Sequence, residues 1–136
     1  MYCFFDVPGV PKAKGRPRMT RSGHTYTPKE TARYENLVRL AAQSSRIDFI
    51  ANGPVTLRLW FFWPCKSPRK AKPRPATYRT ARPDLDNLIK AVSDALNGIG
   101  YRDDSQVVSV TAVKQYAAQD EAPHTRVEIE RFEVIP

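Results

Sequence analysis

Four aspartates form two short acidic groups whose residue type and spacing fit metal chemistry. Asp84 and Asp86 are separated by one residue at the start of a predicted helix, and Asp103 and Asp104 lie side by side before a predicted strand. A helix-turn-strand unit can fold back and bring such ends together. Magnesium is held by one or two carboxylates with waters and substrate phosphate, and the bound ion serves phosphodiester hydrolysis. The two groups therefore predict a magnesium-dependent hydrolytic site.

Lys90 is the basic residue best placed to assist these acids. It follows Asp86 by one helical turn, so both side chains lie on one face of the predicted helix. Its ammonium would stabilise a developing oxyanion or hold the scissile phosphate. The structural alternative is that the acids cap the helix and complement its dipole, with Asp86 and Lys90 as an ordinary surface ion pair.

The helix that carries these residues is the clearest element of the sequence. Pro83 precedes it, Asp84 is placed to act as its N-cap, and Gly98 is placed to end it. We interpret Asp94 on its polar face as a residue that supports the helix. The apolar residues recur at helical spacing and are Leu85, Leu88, Ile89, Val92, Ala95 and Leu96.

Positive charge is concentrated in two proline-rich segments, 11–33 and 64–83. The 136 residues include 22 Lys and Arg against 14 Asp and Glu, a net charge of +8, and these two segments alone carry +13. Extended basic arms suit a phosphate backbone, and a solvated, disordered linker is the alternative. The predicted DNA-binding residues are Lys12, Lys14, Arg16, Arg18, Arg21, Lys66, Arg69, Lys70, Lys72, Arg74, Arg79 and Arg82. The aromatic candidates for stacking on unpaired bases are His24, Tyr26 and Tyr78.

The remaining pattern predicts an α+β fold in a single domain covering residues 1–136. A first helix is predicted from Thr27, the N-cap of a capping box with Glu30, through Pro28 to about Ser44. Strands are predicted at residues 2–7, 55–63, 107–116 and 125–134. The order β-α-β-α-β-β implies one mixed β-sheet with two helices packed on it.

Several classes of protein are disfavoured by the composition. No signal peptide is recognisable at the N-terminus, and the most apolar run, residues 57–63, is too short to span a bilayer. Cys3 and Cys65 form no Cys-x-x-Cys pair, so we expect neither a zinc site nor a disulfide framework. We expect a cytoplasmic protein with an anionic partner.

One stretch of the sequence resembles a known family. Residues 82–108 read RPDLDNLIKAVSDALNGIGYRDDSQVV, and this stretch is similar to the RusA family of Holliday junction resolvases. Residues 15–18, GRPR, and residues 25–28, TYTP, show a looser likeness to the phage-type branch of that family.

The resemblance implies a crossover junction endodeoxyribonuclease of DNA recombination and repair, in a bacterial or phage-infected cell. It would be a homodimer that makes paired nicks in four-way junctions using Mg²⁺, for which Mn²⁺ can substitute. The family's metal-binding aspartates would fall on Asp84, Asp86 and Asp104, and its catalytic lysine on Lys90. Two alternatives stay open: a less selective flap or fork nuclease, and a basic nucleic-acid-binding protein without catalysis. The apolar strand residues Trp60 and Phe62 are candidates for a dimer interface.

Overall fold

A mixed sheet with two helices on one face makes up most of the part of the chain that the structure describes. The computed structural model describes residues 2–15, 17–66 and 77–133. The strands are β1 (Tyr2–Pro8), β2 (Arg18–Met19), β3 (Thr25–Tyr26), β4 (Val55–Trp63), β5 (Thr77–Tyr78), β6 (Val107–Tyr116) and β7 (His124–Arg131). The helices are α1 (Lys29–Ser44) and α2 (Leu85–Ala95), and a short 3₁₀ helix covers Asp104–Gln106.

The strand order of the main sheet is β1-β7-β4-β6-β5, and β2 and β3 form a separate antiparallel ribbon. Strands β4 and β6 are parallel, whereas the other pairs of the main sheet are antiparallel. A parallel pair needs a crossover connection, and the segment between these two strands contains α2. The predicted α+β class, mixed sheet and two helices are confirmed.

The core lies between the helices and one face of the sheet. Alternate residues of β4, from Val55 through Leu59 to Trp63, are buried. A strand turns successive side chains to opposite faces, so Trp60 and Phe62 lie half-buried on the face away from the core. The helix residues that are buried in the core are Tyr34, Val38, Ala42, Leu88, Ala91, Val92 and Ala95.

The predicted start of α1 is wrong in detail. Pro28, not Thr27, occupies the N-cap position, and no side chain caps this end of the helix. Proline has no side-chain acceptor to offer. The hydroxyl of Thr31 in the first turn instead accepts the backbone N–H of Gly15 at 2.9 Å. This bond fixes the first basic segment to the helix, a long-range contact that no local pattern contains.

In their described residues, the two basic segments contain three short strands that the predicted order lacks. Strands β2, β3 and β5 have two residues each, all of them exposed, so neither length nor hydrophobic alternation marks them in the sequence. The last strand covers His124–Arg131, and the end of the prediction, residue 134, lies outside the described residues. Among the described residues, no helix is long and apolar enough to cross a membrane.

Candidate active site

Asp84 and Asp86 lie exposed at the start of α2. Asp84 takes the N-cap position with extended backbone angles, but its side chain makes no capping hydrogen bond. Asp86 lies in the first helical turn. Carboxylates here are stabilised by the positive end of the helix dipole. The capping alternative therefore holds for the backbone position of Asp84 and leaves its carboxylate available to a ligand.

Hydrogen bonds from β6 hold the segment that enters α2. The ammonium of Lys114 donates to the carbonyl oxygens of Ala81 at 2.9 Å and Pro83 at 2.8 Å. The Arg79 backbone N–H donates to the Lys114 carbonyl at 3.0 Å, and its guanidinium donates to the Arg82 carbonyl at 2.6 Å. The position of Asp84 therefore depends on a cation from the sheet, which sequence reasoning missed.

Asp103 and Asp104 have separate roles. Asp103 is the N-cap of the 3₁₀ helix, where its side chain accepts the Ser105 N–H and Gln106 completes a capping box. These hydrogen bonds from Ser105 lower the pKa of Asp103. Asp104 is half-buried and accepts a hydrogen bond from Asn97 Nδ2 at 3.3 Å.

Asp104 lies beside Asp94, at the C-terminal end of α2. A hydrogen bond between the two carboxyl groups, with burial as the next cause, raises the pKa of Asp104 above its ordinary value. Asp94 also lies 3.4 Å from Lys14 Nζ and 3.7 Å from Lys90 Nζ. The helix-supporting role predicted for Asp94 accounts for its pairing with Lys90 on the same helix. It does not account for the contacts with Lys14 and Asp104.

The turn after α2 brings Asp104 back to the helix, but at the end opposite Asp84 and Asp86. Asp86 and Asp94 are eight positions apart, which corresponds to about 12 Å of helix. Among the described residues of one chain, no three His, Cys, Asp or Glu side chains are close enough together to hold a metal ion. Asp84 and Asp86 by themselves offer the exposed oxygen donors that magnesium takes together with substrate phosphate.

Lys90 pairs with Asp94 rather than with Asp86. Its side chain is 62% exposed, and the ion pair joins residues four apart on α2. A surface pair of this kind is weak, so the ammonium can turn towards an anionic ligand at little cost. Lys90 thus lies on α2 between the two groups of acids.

Lys14 is turned inward, unlike the other basic residues of the first segment that the structure describes. Its ammonium lies 2.5 Å from Glu35 Oε1, and its backbone N–H donates to the Asn87 carbonyl at 2.9 Å. Burial alone would lower the pKa of Lys14, but the hydrogen bond to Glu35 and the charges of Glu35 and Asp94 outweigh this and raise it. Sequence reasoning missed Glu35, although an acid on the apolar face of α1 signals a buried partner.

The other predicted DNA-binding residues fall into two groups. The exposed ones are Lys12, Arg18, Arg21, Lys66 and Arg82, and Arg79 is half-buried. Residues Arg16, Arg69, Lys70, Lys72 and Arg74 lie outside the described residues. Among the aromatic candidates, Tyr26 is 47% exposed and Tyr78 is 78% exposed.

Comparison with known proteins gives one family. The sequence model of the family described as endodeoxyribonuclease RusA matches residues 8–130. The protein YqaN of Bacillus subtilis (strain 168), named as uncharacterised, is 36% identical over 125 residues, which are 85% of this chain and 88% of the relative. The crossover junction endodeoxyribonuclease rusA of Lactococcus phage r1t is 34% identical over 127 residues, which are 93% of this chain and 86% of that protein.

Proposed function

The chain belongs to the RusA endodeoxyribonuclease family, and from that premise we propose that it resolves four-way DNA junctions with magnesium in recombination and repair. The observation that carries the proposal is the exposed pair Asp84 and Asp86 at the start of α2, in a chain with a net charge of +8. Such acids would repel DNA unless a cation bridges them to phosphate. The compartment we propose is the cytoplasm of a bacterial or phage-infected cell.

Each residue at the site has a distinct task in this proposal. Asp84 and Asp86 hold the metal, which when bound supplies an activated water and neutralises charge on the phosphate. Lys90 is exposed enough to leave Asp94 and bind the scissile phosphate or its developing charge. Lys114 acts through Pro83 as a positioning residue, because it fixes the segment that ends at Asp84.

We propose a homodimer in which Asp104 completes the metal site of the partner. Two considerations support this: the proposed paired nicks need two active sites, and Asp104 lies at the opposite end of α2 from Asp84 in its own chain. A two-fold dimer can bring these unlike ends together, since its contacts are reciprocal. Trp60 and Phe62 lie on the sheet face away from α2, so an interface there would hold the two α2 helices apart. The shared metal site therefore requires a dimer contact on the α2 side of the sheet instead.

Cleavage of a synthetic four-way junction tests the proposal. The protein is incubated with the junction, with a forked duplex and with a linear duplex of the same sequence, in magnesium and in EDTA. We expect symmetric nicks in the junction in magnesium alone. Equal cutting of the fork would favour a less selective nuclease. If the wild type binds the junction but does not cut it in magnesium, a non-catalytic DNA-binding protein would be favoured.

A further inference from the structure

A cavity of about 980 Å³ opens next to the entry of α2, in a position that the proposed catalytic residues do not occupy. Its walls come from the first basic segment, from the start of α1 and from the segment that leads into α2. Pro83, which directly precedes Asp84, is part of the wall. The other lining residues that matter here are Lys12, Arg18, Tyr26, Lys29 and Arg79.

The charge of the cavity favours an anion. Of the described residues that line it, four are basic and Glu30 is the one acid. The cavity also includes the start of α1, a 16-residue helix whose N-cap, Pro28, contributes no side-chain acceptor. The first N–H groups of a helix and its dipole attract phosphate. The first basic segment, which includes the start of α1, and the segment around Arg79 therefore both direct positive charge to one space.

Arg79 gives the cavity a fixed cation. Its guanidinium lies 4.6 Å from the centre of the Trp63 ring and 5.5 Å from that of Tyr116, and it donates to the Arg82 carbonyl. Its Nε is buried and has no hydrogen-bond partner among the described residues. Because Nε is buried, it is the guanidinium as a whole, held against the two rings and the Arg82 carbonyl, that contributes positive charge to the cavity wall.

Tyr26 adds an aromatic surface to the cavity. It lies on β3 of the small ribbon and is 47% exposed, although its ring is large and apolar. Exposed aromatic rings beside a basic groove are the usual platform for an unpaired base, since every base has a stacking face. The volume lies within the range of cavities that hold small ligands.

We propose that this cavity binds one unpaired nucleotide of the branched DNA, with its phosphate at the basic wall and its base against Tyr26. The inference rests on the proposed function, because the nucleotide comes from the junction that the protein cuts. The shared wall at Pro83 places this nucleotide beside Asp84 and hence beside the scissile phosphate. The cavity thereby selects DNA in which a base can leave its stack, which a linear duplex resists.

A cycle of protein and DNA changes tests the proposal. The dissociation constant is measured by gel shift in EDTA, where no cleavage occurs, with junctions in which each branch-point nucleotide in turn is replaced by an abasic residue. At one position we expect the abasic residue to weaken wild-type binding about tenfold. Tyr26→Ala should weaken binding of the intact junction by a similar factor and should no longer respond to the abasic residue. Tyr26→Phe should behave as the wild type.

Phe49→Ala is the matched control. Phe49 is also 47% exposed and does not line the cavity, so this variant should keep the full abasic effect. An equal abasic effect in wild type and Tyr26→Ala, with normal junction cleavage in magnesium, would overturn the nucleotide cavity and leave the proposed function intact. Absence of junction cleavage by the wild type would instead overturn the proposed function, and the cavity proposal with it.

Discussion

The ammonium of Lys114 donates a hydrogen bond of 2.8 Å to the carbonyl of Pro83, the residue before Asp84. A cation on the sheet thus fixes the backbone from which a proposed metal ligand projects. We predict that Lys114→Met lowers the cleavage rate about 10- to 100-fold, the usual cost of losing such outer support, while junction binding in EDTA changes little. Lys114→Arg should recover part of the rate. Normal cleavage by Lys114→Met would show that the segment holds its position unaided.

Loss of a proposed metal ligand should abolish chemistry and spare binding. Asp84→Asn, Asp86→Asn and Asp104→Asn each exchange a carboxylate for a neutral, poorer magnesium ligand. We predict that each lowers cleavage by at least about 100-fold, while gel shifts in EDTA show unchanged or tighter binding. Asp120→Asn, at an exposed turn residue, is the control and should cut normally. Normal cleavage by all three ligand variants would refute the proposed site.

Mixing two inactive variants should restore activity if Asp104 serves the partner subunit. A dimer with one Asp84→Asn chain and one Asp104→Asn chain has one complete site and one site that lacks both acids. After subunit exchange of equal amounts, nicking should recover to about a quarter of the wild-type rate. Half of the dimers are then mixed, and one of the two sites in each mixed dimer is complete. A mixture as inactive as its parents would place all three acids in one chain's site.

Magnesium titration should separate Lys90 from the metal ligands. Lys90→Ala leaves the carboxylates in place and removes a positive charge near the reacting phosphate, so we predict a loss of about 100-fold that added magnesium does not reverse. Asp86→Asn weakens the metal site and should regain part of its rate at high magnesium. The measurement is the initial cleavage rate as a function of magnesium concentration. The range runs from about 0.1 to about 50 times the concentration that half-saturates the wild type. Equal rescue of both variants would make Lys90 a structural partner of Asp94.

The two lysines at the start of the first basic segment should respond differently to salt. Lys12 is exposed, whereas Lys14 is paired with Glu35 and Asp94. We predict that Lys12→Ala makes the plot of log affinity against log salt shallower by about 0.9, the loss of one phosphate contact. Lys14→Ala should leave that slope unchanged and should lower thermal stability, because two acids lose their counter-charge. An unchanged slope for Lys12→Ala would mean that this lysine faces solvent in the complex.

Sequence reasoning succeeded where the signal is local and periodic. The helix α2 and its N-cap at Asp84 were predicted correctly, because apolar residues at helical spacing meet a cap residue after a proline. The long strands β4 and β6 were also found from β-branched and aromatic residues. The family resemblance lies in this same well-marked stretch of the chain.

The misses concern contacts between residues distant in the sequence. Lys14 was grouped with its basic neighbours, since nothing local shows that Glu35, 21 residues later, takes its charge. The location of Asp104 at the far end of α2 depends on the length of the turn and on Asn97, not on its own neighbours. Likewise, the bond from Gly15 to Thr31 that fixes the first basic segment to α1 joins residues 16 positions apart.

The parallel pairing of β4 with β6 has a consequence for how the enzyme acquires its activity. Residues about fifty positions apart must meet to form this ladder, as Leu57 and Val110 do, and closing so long a loop is a slow step in folding. The loop closed in this way runs from β4 to β6, and it contains α2 with Asp84, Asp86 and Lys90. Because Lys114 of β6 holds the carbonyls of Ala81 and Pro83, we expect the proposed ligands to reach their final positions only once the central sheet has formed.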